Sequence, residues 1–315
     1  MVAAGGGGGG VSVSPSFTRS PPQRRAPRHD ARMRNIAEAL VADLARHLGR
    51  TPPPRVRGLH LPPASAAAGK DGEFGALELE DGSLGLSYVL LDDSLQALAG
   101  GRRTPDLRGA DAMALARGWC RGFGAERALG FAAVNAVSRH LFDRVGFVPP
   151  DAPDPIGGLD PRPGEHVGMV GYFPPLLRQV TARGARLTVL ELRADLAGEH
   201  DGFTVTLDPR DLNGCDKVLS TSTVLLNHTL DVVLENCRNA SRIALVGPGA
   251  ACVPDTLFAL GVTTLAGTWI TDASGFKDAL HRGKPWGRFA RKFAWHAAGA
   301  PDAWACGPLR PPPVP

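Results

Sequence analysis

The sequence contains no run of about 18 apolar residues, so it predicts no membrane-spanning helix. Its start, six glycines and then PSFTRSPPQRRAPRH, lacks the apolar stretch of a secretory signal. That start is Arg-rich and acid-poor, as organelle transit peptides are, but its proline and glycine oppose an amphipathic helix. The five cysteines (Cys120, Cys215, Cys237, Cys252 and Cys306) form an odd set with no C-x-x-C spacing. This argues against a disulfide framework and for a reduced, cytoplasmic setting. The nine histidines show no H-x-x-x-H and no C-x-x-H, so ligand spacing alone reveals no metal site. Neither G-x-S-x-G nor a Walker motif occurs, which weakens hydrolase and phosphotransferase readings.

The net charge of +4 is unevenly placed. Residues 1–34 carry six Arg and one Asp, and residues 282–315 carry six Lys or Arg and one Asp, net +5 in each case. The body between them is net −6. A duplex-binding body needs a basic surface, so no nucleic-acid partner is expected. At 315 residues, 43% hydrophobic and 21% charged, the chain has room for one large or two ordinary globular domains. Oligomeric state stays open, a homo-oligomer included.

Five segments follow from the pattern. Residues 1–30 are low complexity and expected to be disordered. Residues 31–148 read as helix, strands, then helices. Ile36, Leu40, Leu44 and Leu48 form an apolar stripe, and Asp81-Gly82 marks a hairpin with Leu77 and Leu79 on one face and Glu78 and Glu80 on the other. A helix over 125–145 is apolar nearly all round, which predicts burial, and it carries Asn135 inside that surface. Residues 149–164, rich in Pro, Gly and Asp, read as a linker. Residues 165–283 alternate strand and helix: a strand ending in Gly171-Tyr172-Phe173, a helix opened by Pro174 and Pro175, a strand ending at Glu191, and so on to a last helix N-capped by Ser274. The fold class is therefore α/β, a doubly wound parallel sheet preceded by a smaller α+β domain. Residues 284–315 read as a tail, docked or loose.

In an open parallel sheet, ligands bind at the carboxyl ends of the strands. Those ends hold Gly171-Tyr172-Phe173, Glu191, the hydroxyl run Thr221-Ser222-Thr223 with Asn227 and His228 beyond, and Gly247-Pro248-Gly249. Hydroxyls, amides and one carboxylate suit a small polar ligand or a metal complex. The hydroxyl run equally suits a helix cap, and Gly-Pro-Gly equally suits a turn. Glu191 lies 20 residues after Gly171, where an acid could hold a ribose hydroxyl. Yet G-x-G-x-x-G is absent, and Pro174 and Pro175 remove two N–H donors that a pyrophosphate would need. This argues against NAD. S-adenosylmethionine, with no pyrophosphate, remains open. Cys215, His228 and Cys252 could converge as metal ligands, although buried free cysteine more often acts as a small hydrophobe. No motif assigns a reaction.

The segments VGMVGYFPPL, VLEL, STSTVLLNHTLD and RNASRIALVGPGAACVPDTLFALGVTTLAG resemble a prokaryotic family described as putative heavy-metal chelation, with a Rossmann-like C-terminal half. LGFAAVNA resembles its companion N-terminal domain, which has an enolase N-terminal-like fold. The resemblance spans residues 35–282. It implies a cleft between two domains with a role in metal handling. The cleft set it implies is Asn135, Tyr172, Phe173, Pro174, Glu191, Thr221, Thr223, Asn227, Gly247 and Gly249. The family more often has Gly at the position of His228, and His at that of Tyr172. The expected function is binding of a metal ion, a transition metal foremost, or of a small metal-chelating metabolite in that cleft. Glu191 and His228 are the candidate metal ligands. A small-molecule enzyme with a nucleoside-like cofactor is the alternative.

Overall fold

The computed structural model describes residues 29–66, 72–100, 107–152, 154 and 156–299. The low-complexity start as far as residue 28, the end from residue 300, and Cys306 lie outside the described residues.

The first unit opens with α1 (His29–Leu48), whose Leu40, Leu44 and Leu48 are buried. Gly49, at φ 59°, and the prolines at 52–54 end it, since a left-handed residue followed by proline cannot continue a helix. Strands β1 (Val56–His60), β2 (Phe74–Leu79) and β3 (Leu84–Tyr88) form an antiparallel sheet in that order. Gly82 takes φ 92° in the turn that Asp81-Gly82 signals. After α2 (Ser94–Ala99) come α3 (Ala112–Arg121) and α4 (Gly124–Arg144). Asp111 caps α3, its carboxylate accepting from the Met113 and Ala114 amides at 2.8 and 3.0 Å. The α4 helix is buried along most of its length, from Ala128 to Phe142. Glycine lets its neighbours approach: a Cβ on Gly85 of β3 would lie 2.0 Å from the Ala136 nitrogen, and one on Gly130 would lie 2.3 Å from the Trp119 nitrogen of α3.

The second unit comprises β4 (His166–Val170), α5 (Pro174–Thr181), β5 (Arg186–Leu190), β6 (Gly198–His200), β7 (Phe203–Thr206), β8 (Lys217–Thr221), α6 (Thr223–Leu226), α7 (Leu230–Glu235), β9 (Arg242–Val246), α8 (Asp255–Ala259), β10 (Thr264–Ile270), α9 (Ala273–His281) and β11 (Ala290–His296). Its eight-stranded sheet has the order β11-β10-β9-β8-β4-β5-β7-β6. The six inner strands run parallel, and β6 and β11 are antiparallel edges. The chain winds outward from β4 through β5 to β7, then returns to lay down β8, β9 and β10 on the other side. The order of reversal lies between β4 and β8, the doubly wound arrangement.

Three expectations need correcting. The segment after residue 283 is not a tail throughout, because Ala290–His296 pairs with the whole of β10 and buries Phe293 and Trp295. Arg291 and Lys292 mask that strand's apolar alternation, as is usual on an edge. The described residues of the segment 149–164 form no strand or helix, yet Ile156 and Leu159 are buried in the core of the large sheet. Asp272, not Ser274, caps α9, accepting from the Gly275 amide at 2.9 Å. The second face of the β2–β3 hairpin, the one that carries Glu78, is also covered. Ala76, Leu84 and Leu86 pack against Ile270, Phe276 and Leu280, so Glu78 is buried.

The two units are sewn together by polar contacts as well. Asp43 of α1 accepts from the Thr256 amide and hydroxyl at 3.0 and 2.6 Å, and Arg46 and His47 both reach Asp255 of α8. Among the described residues no helix is long and apolar enough to cross a membrane.

Candidate functional site

A cavity of about 1040 Å³ opens at the carboxyl ends of β4, β5, β8 and β9, where the strand order reverses. This is the upper end of the range for small-molecule sites. Its floor includes Gly171, Glu191, Thr221, Ser222, Thr223, Asn227, Gly247 and Pro248. Tyr172 and Phe173 line it from the β4–α5 turn. Phe74 and Tyr88, packed edge to face at 5.8 Å, close it from the small sheet, and Trp286 and Phe293 from the C-terminal segment. The lining is thus rich in aromatic faces, with a few polar groups among them. Arg193, Arg291 and Lys292 also line it, as do the acids Glu73, Asp154 and Glu191.

Much of the polar apparatus at the floor is already engaged. The Thr221 hydroxyl donates to that of Thr223 at 3.0 Å, and accepts from the Thr223 amide at 3.2 Å. Asn227 Oδ1 accepts from the Thr229 hydroxyl at 2.7 Å. The Glu191 carboxylate accepts from the next amide, that of Leu192. Backbone donors are spent too: Gly171 N–H goes to Leu190 O, Ser222 N–H to Val246 O, and Gly247 N–H to Ala266 O. The Gly247 amide is thus spent within the sheet, and glycine is required there because φ is 136° and a Cβ would meet Ser222 Oγ at 2.6 Å. At the start of α5, Pro174 and Pro175 have no N–H, and the Leu176 and Leu177 amides both turn back to Phe173 O at 2.8 and 3.0 Å. A pyrophosphate would find no donor there.

Four sequence candidates are placed elsewhere. Asn135 does not line the cavity. It is buried, and its Nδ2 donates to Leu86 O at 2.8 Å and Gly249 O at 3.2 Å. Gly249 belongs to that buried contact, not to the lining, and Pro174 also stays out of it. His228, at φ 58°, sets its ring edge to face on Trp119 of α3 with 5.6 Å between centroids. The pairing of Glu191 with His228 as metal ligands is not assembled, because Glu191 lies on the cavity wall and His228 faces the small unit. Among the described residues no group of three His, Cys, Asp or Glu side chains could hold a metal ion. Cys215, His228 and Cys252 do not converge either. Cys215 Sγ lies 3.7 Å from His166 Nε2, and burial pushes the Cys215 thiol up to about 11 and that of Cys252 to about 12. Such thiols stay protonated and behave as small apolar groups. The donor set of the cavity thus does not fit a bare, fully protein-ligated metal ion. Its room and aromatic faces suit a larger ligand that brings its own donors.

Sequence reasoning missed Phe74, Tyr88, Trp286 and Phe293. Phe74 and Tyr88 lie in strands legible from the sequence, whereas Phe293 was hidden among the charges of β11, and which end of each element meets the cavity depends on how the two units dock.

Comparison with known proteins bears on both units. Two family models, each described as putative heavy-metal chelation, match residues 73–138 and 154–298. An uncharacterized protein of Methanocaldococcus jannaschii is 32% identical over 151 residues, 47% of this chain and 56% of that protein. The chain thus spans little more than half the length of that curated relative. Two crystal structures of DUF364-family proteins of unknown function are similar in fold. The one from Desulfitobacterium hafniense has a TM-score of 0.61 at 22% identity, covering 84% of this chain and 98% of that one. The one from Pyrococcus horikoshii has 0.59 at 19%, covering 84% and 99%.

Proposed function

Since this chain belongs, through both of its units, to the family described as putative heavy-metal chelation, we propose that its cavity binds a small metal-chelating metabolite, with its metal. The observation that supports this reading is the pairing of a cavity of about 1040 Å³ with the absence, among the described residues, of any three-donor cluster. A chelate carries its own ligand atoms and needs from the protein only shape, apolar faces and a few polar contacts. Tyr172, Phe173, Tyr88 and Trp286 offer rings for a flat organic ligand to stack on. Glu191 and the Thr221–Thr223 hydroxyls would orient it. The cationic side chains Arg291 and Lys292 would meet its anionic part.

Calorimetric titration of the full chain with ferric 2,3-dihydroxybenzoate, with that chelator alone, and with divalent metals alone tests this. The reading expects the complex to bind with at least about tenfold higher affinity than the chelator, and Glu191→Ala or Thr223→Val to weaken it about tenfold. It fails if flat anionic chelates produce no heat, or if neither variant changes the titration.

A second reading places a nucleoside-like cofactor such as S-adenosylmethionine in the same cavity. Glu191, just past the end of β5, has the position of a ribose-binding acid, and such a cofactor needs no pyrophosphate cradle. Stabilisation by S-adenosylmethionine that survives excess chelator and disappears in Glu191→Ala would favour it over the first.

A further inference from the structure

Away from the cavity, two histidines from different units face one another. His60 ends β1 and His281 ends α9. His60 Nδ1 and His281 Nε2 are 3.2 Å apart, with ring centroids 5.1 Å apart and planes inclined at 42°. The far nitrogen of His60 is held: Nε2 lies 2.8 Å from Oε2 of Glu78. Glu78 is buried, and its carboxylate also takes Lys277 Nζ at 2.9 and 3.0 Å and Arg57 Nη1 at 3.1 Å.

Chemistry fixes the tautomer of His60. A carboxylate held by two cations is an acceptor only, so the Nε2 of His60 carries the proton. With the proton on Nε2, the Nδ1 lone pair points at His281. Here it accepts the His281 Nε2–H. His281 is exposed and can move that proton to its own Nδ1 through solvent, which turns a second lone pair toward the same point.

We propose that His60 and His281 form a site for a divalent late first-row transition metal, with Glu78 as the outer carboxylate that orients His60. Two imidazole nitrogens at 2.0–2.1 Å from a tetrahedral zinc ion lie about 3.3–3.4 Å apart. The 3.2 Å between these nitrogens is close to that, and rotation of the exposed His281 ring with a smaller tilt of His60 would aim both lone pairs at one ion. A carboxylate accepting the far N–H of a ligating imidazole is the usual partner of such a histidine. Imidazole donors select copper, nickel and zinc over magnesium or calcium. With two protein ligands the remaining positions hold water, so the ion is exchangeable. The frame is stiff. Gly283, after α9, is seated against Ala66 and Pro63 beyond β1, where a Cβ would meet the Ala66 side chain at 2.8 Å. Neither histidine lines the cavity, so this site and the one proposed above are separate.

Zinc titration of the full chain by calorimetry, with cobalt absorption as an independent signature of nitrogen ligation, tests the site. One equivalent is expected to bind in the unmodified protein. His281→Ala, at an exposed position that packing does not need, removes at least about tenfold of the affinity, and His60→Ala does the same. Glu78→Gln weakens binding by about 10- to 100-fold if it folds. Chelate binding in the cavity is unaffected by His281→Ala. The site is overturned if the unmodified protein binds no equivalent of zinc, or if His281→Ala titrates like it.

Discussion

Asn135 Nδ2 donates to the Gly249 carbonyl at 3.2 Å, across the seam between the buried helix of the small unit and the loop that follows β9. The same amide nitrogen donates to Leu86 O at 2.8 Å. One side chain thereby joins β3, α4 and the Gly-Pro-Gly loop, and its role is to register the two units. Its Oδ1 is buried with no hydrogen-bond partner among the described residues, so the contact is kept despite a cost.

Asn135→Ala leaves two carbonyls without their donor and removes the orphaned Oδ1 as well. The expected loss of stability is about 2 kcal/mol, read as a lower urea midpoint at unchanged slope. Asn135→Asp is expected to be worse, because it buries a charge beside two carbonyl oxygens. If ligand binding fell while the urea midpoint held, Asn135 would be a cavity residue instead.

The closest approach between β3 and α4 rests on Gly85. A methyl group there would sit 2.0 Å from the Ala136 nitrogen and 2.3 Å from the Ala132 carbonyl, both backbone. Backbone cannot swing aside as a flexible side chain can, so strand and helix must separate. Gly85→Ala is expected to cost about 3 kcal/mol or more, measured by chemical denaturation. The same change at Gly82, where no atom lies within 4 Å but φ is 92°, is expected to cost only about 1 kcal/mol, from backbone strain alone.

Those two glycines show how far the sequence was legible. The Asp81-Gly82 turn is local chemistry and could be named from two letters. The need for Gly85 arises from a helix some 50 residues on and carries no local mark. Glu78 shows the same limit. Alternation with Leu77 and Leu79 correctly put it on the opposite face, but whether water or α9 covers that face is a matter of docking. In the large unit the parallel strands were legible because burial on both faces makes continuous apolar runs. The edge strand β11 was not, because its outer residues are charged. At the cavity, the strand ends could be identified from topology. Which of their N–H groups remained free could not, since Gly171, Ser222 and Gly247 spend theirs on neighbouring strands.

Asp81 gives the fold a dependence on acid. Burial raises its carboxyl, but hydrogen bonds from His140 and from the Ser83 amide and hydroxyl outweigh it and hold the group down at about 2. A carboxylate depressed in the folded state stabilises above its unfolded value of about 3.9, and that contribution is lost as pH falls through the folded value. Asp81 is partly exposed, so screening leaves about 1 kcal/mol. Asp81→Asn is expected to be less stable than the unmodified protein at pH 5–6, with the gap closing between about pH 4 and pH 2. A constant gap across that range would remove Asp81 from the acid response.

The C-terminal strand yields the last test. Trp295 pairs in register with Leu265 on β10 and is buried among Phe142, Phe147 and Phe258, with ring centroids 5.6, 4.6 and 6.2 Å away. Phe142 and Phe147 belong to the end of α4 and the turn beyond it, so this one indole fastens the edge of the large sheet to the small unit. Truncation to alanine removes the apolar contact and leaves a void that three rings from separate elements cannot jointly fill. The expected loss is about 3–5 kcal/mol, seen as a drop in thermal midpoint. Trp295→Phe keeps a ring in that space and should recover most of it. Were residues 290–296 a loosely docked tail, Trp295→Ala would leave the midpoint nearly unchanged, and the cavity wall formed by Trp286 and Phe293 would lose its support in the fold.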